Sequence, residues 1–131
     1  MTSLGRGALA FTGLVFAVIG VGFLIVPETW ARWVGIVLPS PLARIDLRAT
    51  YGGFDLAFGI FLLACARNGA WLRPGLWACG LALAGFAAGR IIGMVAEGAA
   101  PRRMLGLLAV ELSLAVLSFG ALTRLPGDLD T

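Results

Sequence analysis

Four ionisable residues, Arg48, Asp55, Arg90 and Glu111, stand inside stretches otherwise apolar enough to cross a bilayer, two of each sign. An Arg or Asp at the centre of a membrane helix costs roughly 2.5 to 3.5 kcal/mol on insertion scales, whereas each Leu or Ile returns only about 0.3 to 0.6. Groups in that position are paired, hydrated, or used to bind a ligand or pass a proton. Tyr51 lies between Arg48 and Asp55 and can donate or accept a hydrogen bond there. Arg90 is followed seven residues later by Glu97, and Glu111 by Ser118.

Most other chemistry is excluded by composition. The chain has no His and no Lys, which removes imidazole acid–base catalysis, His metal sites and Schiff-base chemistry. Its two cysteines, Cys65 and Cys79, are too few for a zinc site and form no Cys-x-x-Cys motif. Neither a Gly-x-Ser-x-Gly elbow, a phosphate-binding Gly-x-x-x-x-Gly-Lys loop nor a dinucleotide Gly-x-Gly-x-x-Gly occurs. An enzyme would have to work with carboxylates and Tyr51 alone, so the sequence leans away from catalysis. No catalytic residue, metal or cofactor is assigned.

The elements that position the charges belong to a membrane. The chain is 60% hydrophobic and 13% charged, with a mean hydropathy of +0.95, whereas soluble domains run nearer a quarter charged. Four apolar segments stand out, at residues 7–26, 47–66, 75–96 and 104–123. Each is about 20 residues, which at ~1.5 Å per residue matches a hydrocarbon core of ~30 Å. Pro27, Pro39 and Pro41, then Asn68 and Gly69, then Gly98 and Pro101, punctuate the breaks. No segment carries the broad polar stripe of a water-facing helix. The expectation is an all-α integral membrane protein, an up-down four-helix bundle forming a single domain over residues 1–131. The first segment reads as a retained helix, because its apolar run exceeds the roughly 7–15 residues of a signal core and Ile25-Val26-Pro27-Glu28 is a poor cleavage site.

Arginines do not orient the chain. Arg6, Arg67, Arg73 and Arg124 on the terminus-bearing face balance Arg32, Arg44, Arg102 and Arg103 on the other. The net charge of +3 is scattered among loops, which excludes a nucleic-acid footprint. Trp30 and Trp33 in the first loop, and Trp71 and Trp77 at the start of the third helix, fall where interfacial belts place them. The stretch from Pro27 to Val34 reads as a short helix in the headgroup region. Small residues mark packing faces. Gly85, Gly89 and Gly93 form a strip expected to meet another helix of the same chain, with a dimer as the alternative. Gly13 and Gly20, and Gly52 and Gly59, repeat about two turns apart, and Gly53 adjoins Gly52.

With an up-down topology, Asp55 lies roughly 13 Å inside Asp46, while Arg90 and Glu111 each lie about 10 Å inside their helix ends on the same side. The expectation is one polar layer. Arg48, Tyr51 and Asp55 follow i, i+3, i+7 and share a face if the helix is regular. The simplest pairing joins Arg90 to Glu111 and Arg48 to Asp55, with a crossed arrangement as the alternative. Bidentate Arg–carboxylate geometry best offsets the desolvation of both groups.

The run Asp46-Leu47-Arg48-Ala49-Thr50-Tyr51-Gly52-Gly53 resembles the acidic-x-Arg-Ala-x-Tyr-Gly-Gly signature of small bacterial membrane proteins grouped as domain of unknown function 4345. Gly89-Arg90 with Gly93, Glu97-Gly98, and Glu111-Leu112 resemble that family's later motifs, although the family more often has Glu at the position of Asp46 and Asp at that of Glu97. A looser similarity to DoxX-like four-helix proteins implies a redox-associated setting, and within it Cys65 and Cys79, near one membrane face, would be a reversible dithiol. The expectations are then three. The first is a binding or transport protein, its cavity lined by Arg48, Tyr51, Asp55, Arg90 and Glu111 with Glu97 at the rim, that takes a small polar solute or a lipid headgroup. The second is an accessory subunit, in a homo-oligomer or a larger membrane complex, whose charges only lock its helices. The third is the redox reading. The expected setting is the bilayer of a bacterial inner membrane.

Overall fold

The computed structural model describes residues 2–125, and among these every regular element is helical. Helix α1 spans Thr2–Ile25, α2 Pro27–Trp33 and α3 Pro41–Leu47. A π-helical segment, Arg48–Phe54, continues into α4, Asp55–Arg67. After a single 3₁₀ turn, Gly69–Trp71, come α5, Leu72–Glu97, and α6, Arg102–Leu122. Four stretches are long and apolar enough to cross a membrane: Ser3–Ile25, Pro41–Arg67, Gly69–Glu97 and Arg102–Leu122. The ends of the expected domain, residue 1 and residues 126–131, lie outside the described residues.

All four spans begin earlier than the apolar runs alone indicate, and local signals explain the two largest extensions, in the second and third spans. Ser40 Oγ accepts the Ala43 N–H at 3.2 Å and Pro41 opens α3, so helix starts six residues before Leu47. Asn68 Oδ1 accepts the Ala70 N–H at 3.1 Å and starts the turn that leads into α5. At its other end α5 stops at Gly98, whose φ of 60° closes the helix in the left-handed region.

The chain divides into two compact units, one of residues 10–64, the other of the residues up to 9 with those from 65 onward. In the first, glycines let two backbones touch. A Cβ on Gly20 would stand 2.8 Å from the Gly52 carbonyl oxygen, and one on Gly59 would stand 2.6 Å from both Ala17 N and Gly13 O. This seam runs along α1 against the π segment and α4, and it is made by the two glycine pairs the spacing puts on repeated faces. Above it, Phe23, Ala31 and Leu47 form a small core with Ile19, Trp30, Ile36 and Leu38 packed around it, so α2 and the following loop fold back over the end of α1. Phe23 touches both Trp30 and Tyr51, at centroid distances of 5.9 and 5.2 Å.

In the second unit the start of α1 packs on α5 and α6. Gly5 sits against Leu76 and Ala121, Gly75 against Cys65 and Leu9, and Gly80 beneath the Phe119 ring. The buried stripe of α5 is Leu72, Leu76, Cys79, Gly80, Leu83 and Ala87. Gly85, Gly89 and Gly93 lie off this stripe, and a Cβ on any of them would meet nothing within 4 Å. The expectation that this strip packs inside the chain is thereby corrected: the internal contact uses the larger side chains one-third of a turn away. Gly53 is likewise not a close-packing residue, its nearest neighbour being the Arg48 carbonyl at 3.7 Å.

Large apolar side chains cover the outside. Val37, Val95 and Val116 are 81%, 77% and 71% exposed, and Phe11, Leu14, Val18 and Ile25 line an open face of α1. A water-soluble monomer does not present such continuous apolar surface, whereas lipid accepts it. Replacing Gly20 with Val is expected to lower stability by about 2 to 3 kcal/mol, through overpacking against backbone that cannot yield. Gly89→Ala should stay within about 0.5 kcal/mol of the parent. Thermal unfolding in detergent, followed by circular dichroism, reads both.

Candidate functional site

The polar residues fall into two stations, one in each unit. In the second unit Arg90 and Glu111 meet. Arg90 Nε donates to Glu111 Oε2 at 3.0 Å and Nη2 to Oε1 at 2.5 Å, the bidentate fork expected from the residue types. A third donor, Nη1, reaches Met104 Sδ at 3.1 Å. The positions follow from helix periodicity. Arg90 continues the stripe of Leu83 and Ala87 on α5, and Glu111 shares its face of α6 with Met104, Ala115 and Ser118. The two side chains are only 20% and 12% exposed. Both carboxylate oxygens and all three guanidinium nitrogens are engaged, so the pair is neutral and closed, able to fix the register of α5 against α6.

Glu97 does not join this pair. It lies exposed at the last residue of α5 and makes no hydrogen bond or ion pair with a described residue. One turn below Leu83, Cys79 is buried, with Ser118 Oγ 3.4 Å from its sulfur, and that hydroxyl also donates to the Leu114 carbonyl at 2.8 Å. Cys65 is buried against Gly75. Neither cysteine is in a disulfide.

The first unit holds Arg48, Tyr51 and Asp55, and here the expected pairing is corrected. Arg48 Nε donates to the Leu24 carbonyl at 3.0 Å, not to Asp55. Helix α1 ends at Ile25, so Leu24 has one of the last carbonyls left without an intrahelical partner, and α1 has no basic residue of its own in that turn. Arg48 supplies the missing cation at the negative end of the helix. Its Nη1 and Nη2 groups make no hydrogen bond with a described residue, and the side chain is exposed.

The reason Arg48 and Asp55 separate is the winding between them. The face-sharing rule i, i+3, i+7 holds for 3.6 residues per turn, but residues 48 to 54 are wound with i→i+5 bonds, which put more residues in each turn. Seven residues on, the chain has turned less far, and Asp55 points to a different side. It joins the buried stripe of Gly52, Gly59 and Leu62, only 6% exposed, and makes no hydrogen bond or ion pair with a described residue. Tyr51 stays 39% exposed with its ring on Phe23. Sequence periodicity could not reveal this. The one local signal was Gly52-Gly53, a pair that weakens regular winding within a span. Leu24 was also missed, since a backbone acceptor at a helix end leaves no mark in residue type. Among the described residues, Thr12 Oγ1 in α1 is a fully buried polar atom without a hydrogen-bond partner.

Four membrane-length helices, lipid-compatible outer surfaces and ionisable groups held within the spans define a multi-pass membrane protein. The chain belongs to the family described as domain of unknown function (DUF4345), which it matches over residues 4–122. Comparison with curated proteins and with solved structures yields no match, and the DoxX-like similarity finds no support.

Removing either partner of the Arg90–Glu111 pair leaves a largely buried charge alone. Arg90→Leu and Glu111→Leu should each destabilise by on the order of 3 kcal/mol, and the double Leu variant should recover most of that loss. Unfolding midpoints of the four proteins in one detergent provide the check.

Proposed function

We propose that this protein binds an anionic group, a phosphate or carboxylate carried by a lipid headgroup or a small solute, at Arg48 and Tyr51 on one side of a bacterial cytoplasmic membrane. The observation that carries this reading is the state of Arg48: its Nε is pinned by the Leu24 carbonyl, which leaves Nη1 and Nη2 without described partners on an exposed side chain. A guanidinium held at one corner is preorganised, and the planar fork suits a bidentate oxyanion. The Tyr51 hydroxyl, three residues on, is a further donor, and its ring is steadied by Phe23. Trp30 packs on that same Phe23 from the short helix α2, which gives the shelf an aromatic wall of the kind found at headgroup depth.

The closed Arg90–Glu111 fork supports a structural task for the second station, and to that extent an accessory role in a larger assembly. Each guanidinium nitrogen there already has a partner within the chain, so the binding role is assigned to Arg48.

Charge-assisted hydrogen bonds contribute about 1.5 to 3 kcal/mol, so Arg48→Gln should weaken anion binding by about tenfold or more. Native mass spectrometry of the protein released from nanodiscs of mixed phosphatidylglycerol and phosphatidylcholine should show anionic-lipid adducts that Arg48→Gln loses and the Arg90/Glu111 double Leu variant keeps. Competition by soluble glycerol phosphate would identify a solute site. Equal adducts on the parent and Arg48→Gln would overturn the reading.

A further inference from the structure

Asp55 has no place in the anion site and is the one buried acidic residue of the first unit, with no hydrogen bond or ion pair to a described residue. It stands at the first residue of α4, on the stripe of Gly52, Gly59 and Leu62 that forms the glycine seam with α1. Within that unit α1 offers it no titratable or charged side chain, since residues 10–25 contain none. On its own span the charged and titratable groups are Asp46, Arg48, Tyr51 and Arg67. Arg48 is turned away and bonded to Leu24, the Tyr51 ring packs at a tilt against Phe23, and Arg67 is three turns further along the helix. In the cap over the end of α1, Arg44 is 3.7 Å from Glu28, and Arg32 is exposed.

We propose that Asp55 is a proton-binding site set in the seam between α1 and α4, holding a proton in the packed arrangement and releasing it when the seam admits water or a cation. Three observations carry this. A carboxylate cannot be ionised in an apolar setting without a counter-charge or several donors, and neither is present among the described residues. The backbones on either side approach so closely, at Gly20 and Gly52 and at Gly13 and Gly59, that no long basic side chain can enter the packed seam to neutralise it. The π winding that precedes Asp55 is what turns it into this seam. Such segments recur at functional sites, and regular winding would instead have aligned the carboxyl with Arg48. An Asn or Ser would pack there with no electrostatic burden. The acid differs from those in one respect, the exchangeable proton. This inference is separate from anion binding at Arg48, and either can fail alone.

A hydrophobic carbodiimide tests it, because the reagent adds across a protonated carboxyl in an apolar environment and remains as a stable N-acylurea with nothing released. The full-length protein in lipid vesicles is treated with dicyclohexylcarbodiimide over a range of pH, then digested and mapped by mass spectrometry. The expected result is an adduct on the peptide containing Asp55 whose yield falls as pH rises, with none on Glu111, both of whose carboxylate oxygens are taken by Arg90. Absence of label on Asp55 at every pH, or a yield that does not change with pH, overturns the proposal. Asp55→Asn, the isosteric neutral variant, gives a second readout: its unfolding midpoint should match the parent, and a large drop would show that the site requires the charge.

Discussion

Hydrocarbon offers a charged side chain no water, so each ionisable group within a span needs a partner supplied by the protein itself or must give up its charge. The two stations of this chain answer that demand in different ways. Arg90 and Glu111 neutralise each other through a two-bond fork that uses both carboxylate oxygens, and Met104 takes the remaining guanidinium nitrogen. Arg48 instead finds a backbone dipole, the unpaired carbonyl at the end of α1, and keeps its outer face open. Asp55 finds neither among the described residues, and its burial in a glycine seam sets the terms on which it can hold charge.

Helix α1 makes these outcomes possible. Its glycines at 13 and 20 bring the backbone against Gly52 and Gly59, which fixes α4 and the π segment beside it. Its C-terminal turn then presents Leu24 to Arg48, while Phe23 gathers Trp30 and Tyr51. A side chain added at the seam would therefore disturb more than packing: it would move the carbonyl that holds Arg48 and the ring that supports Tyr51. The exposed glycines of α5 have no such duty within the chain.

Much of this was legible in residue order. Long apolar runs, their proline and glycine breaks and the absence of a polar stripe were enough for four spans, because hydropathy and length are properties of composition. Arg90 and Glu111 could be matched by counting inward from a hairpin, since both lie on regular helices where rise and face follow from position. The same arithmetic failed for Arg48 and Asp55. Its premise was uniform winding, and the wider turn between them moved one charge onto another face. The glycine strip at 85, 89 and 93 misled for a different reason: small residues allow close approach without requiring it, and larger side chains on the neighbouring stripe made the contact.

The separation of Arg48 from Asp55 by the π segment is the central claim, because both the open guanidinium and the isolated carboxyl follow from it. A double-mutant cycle tests it most directly, with Arg48→Gln, Asp55→Asn and their combination compared by unfolding in the same detergent. Side chains that do not interact give additive effects, so the coupling energy should lie within about 0.5 kcal/mol of zero. A favourable coupling of more than about 1 kcal/mol would mean that the two charges are paired after all, and would contradict the account.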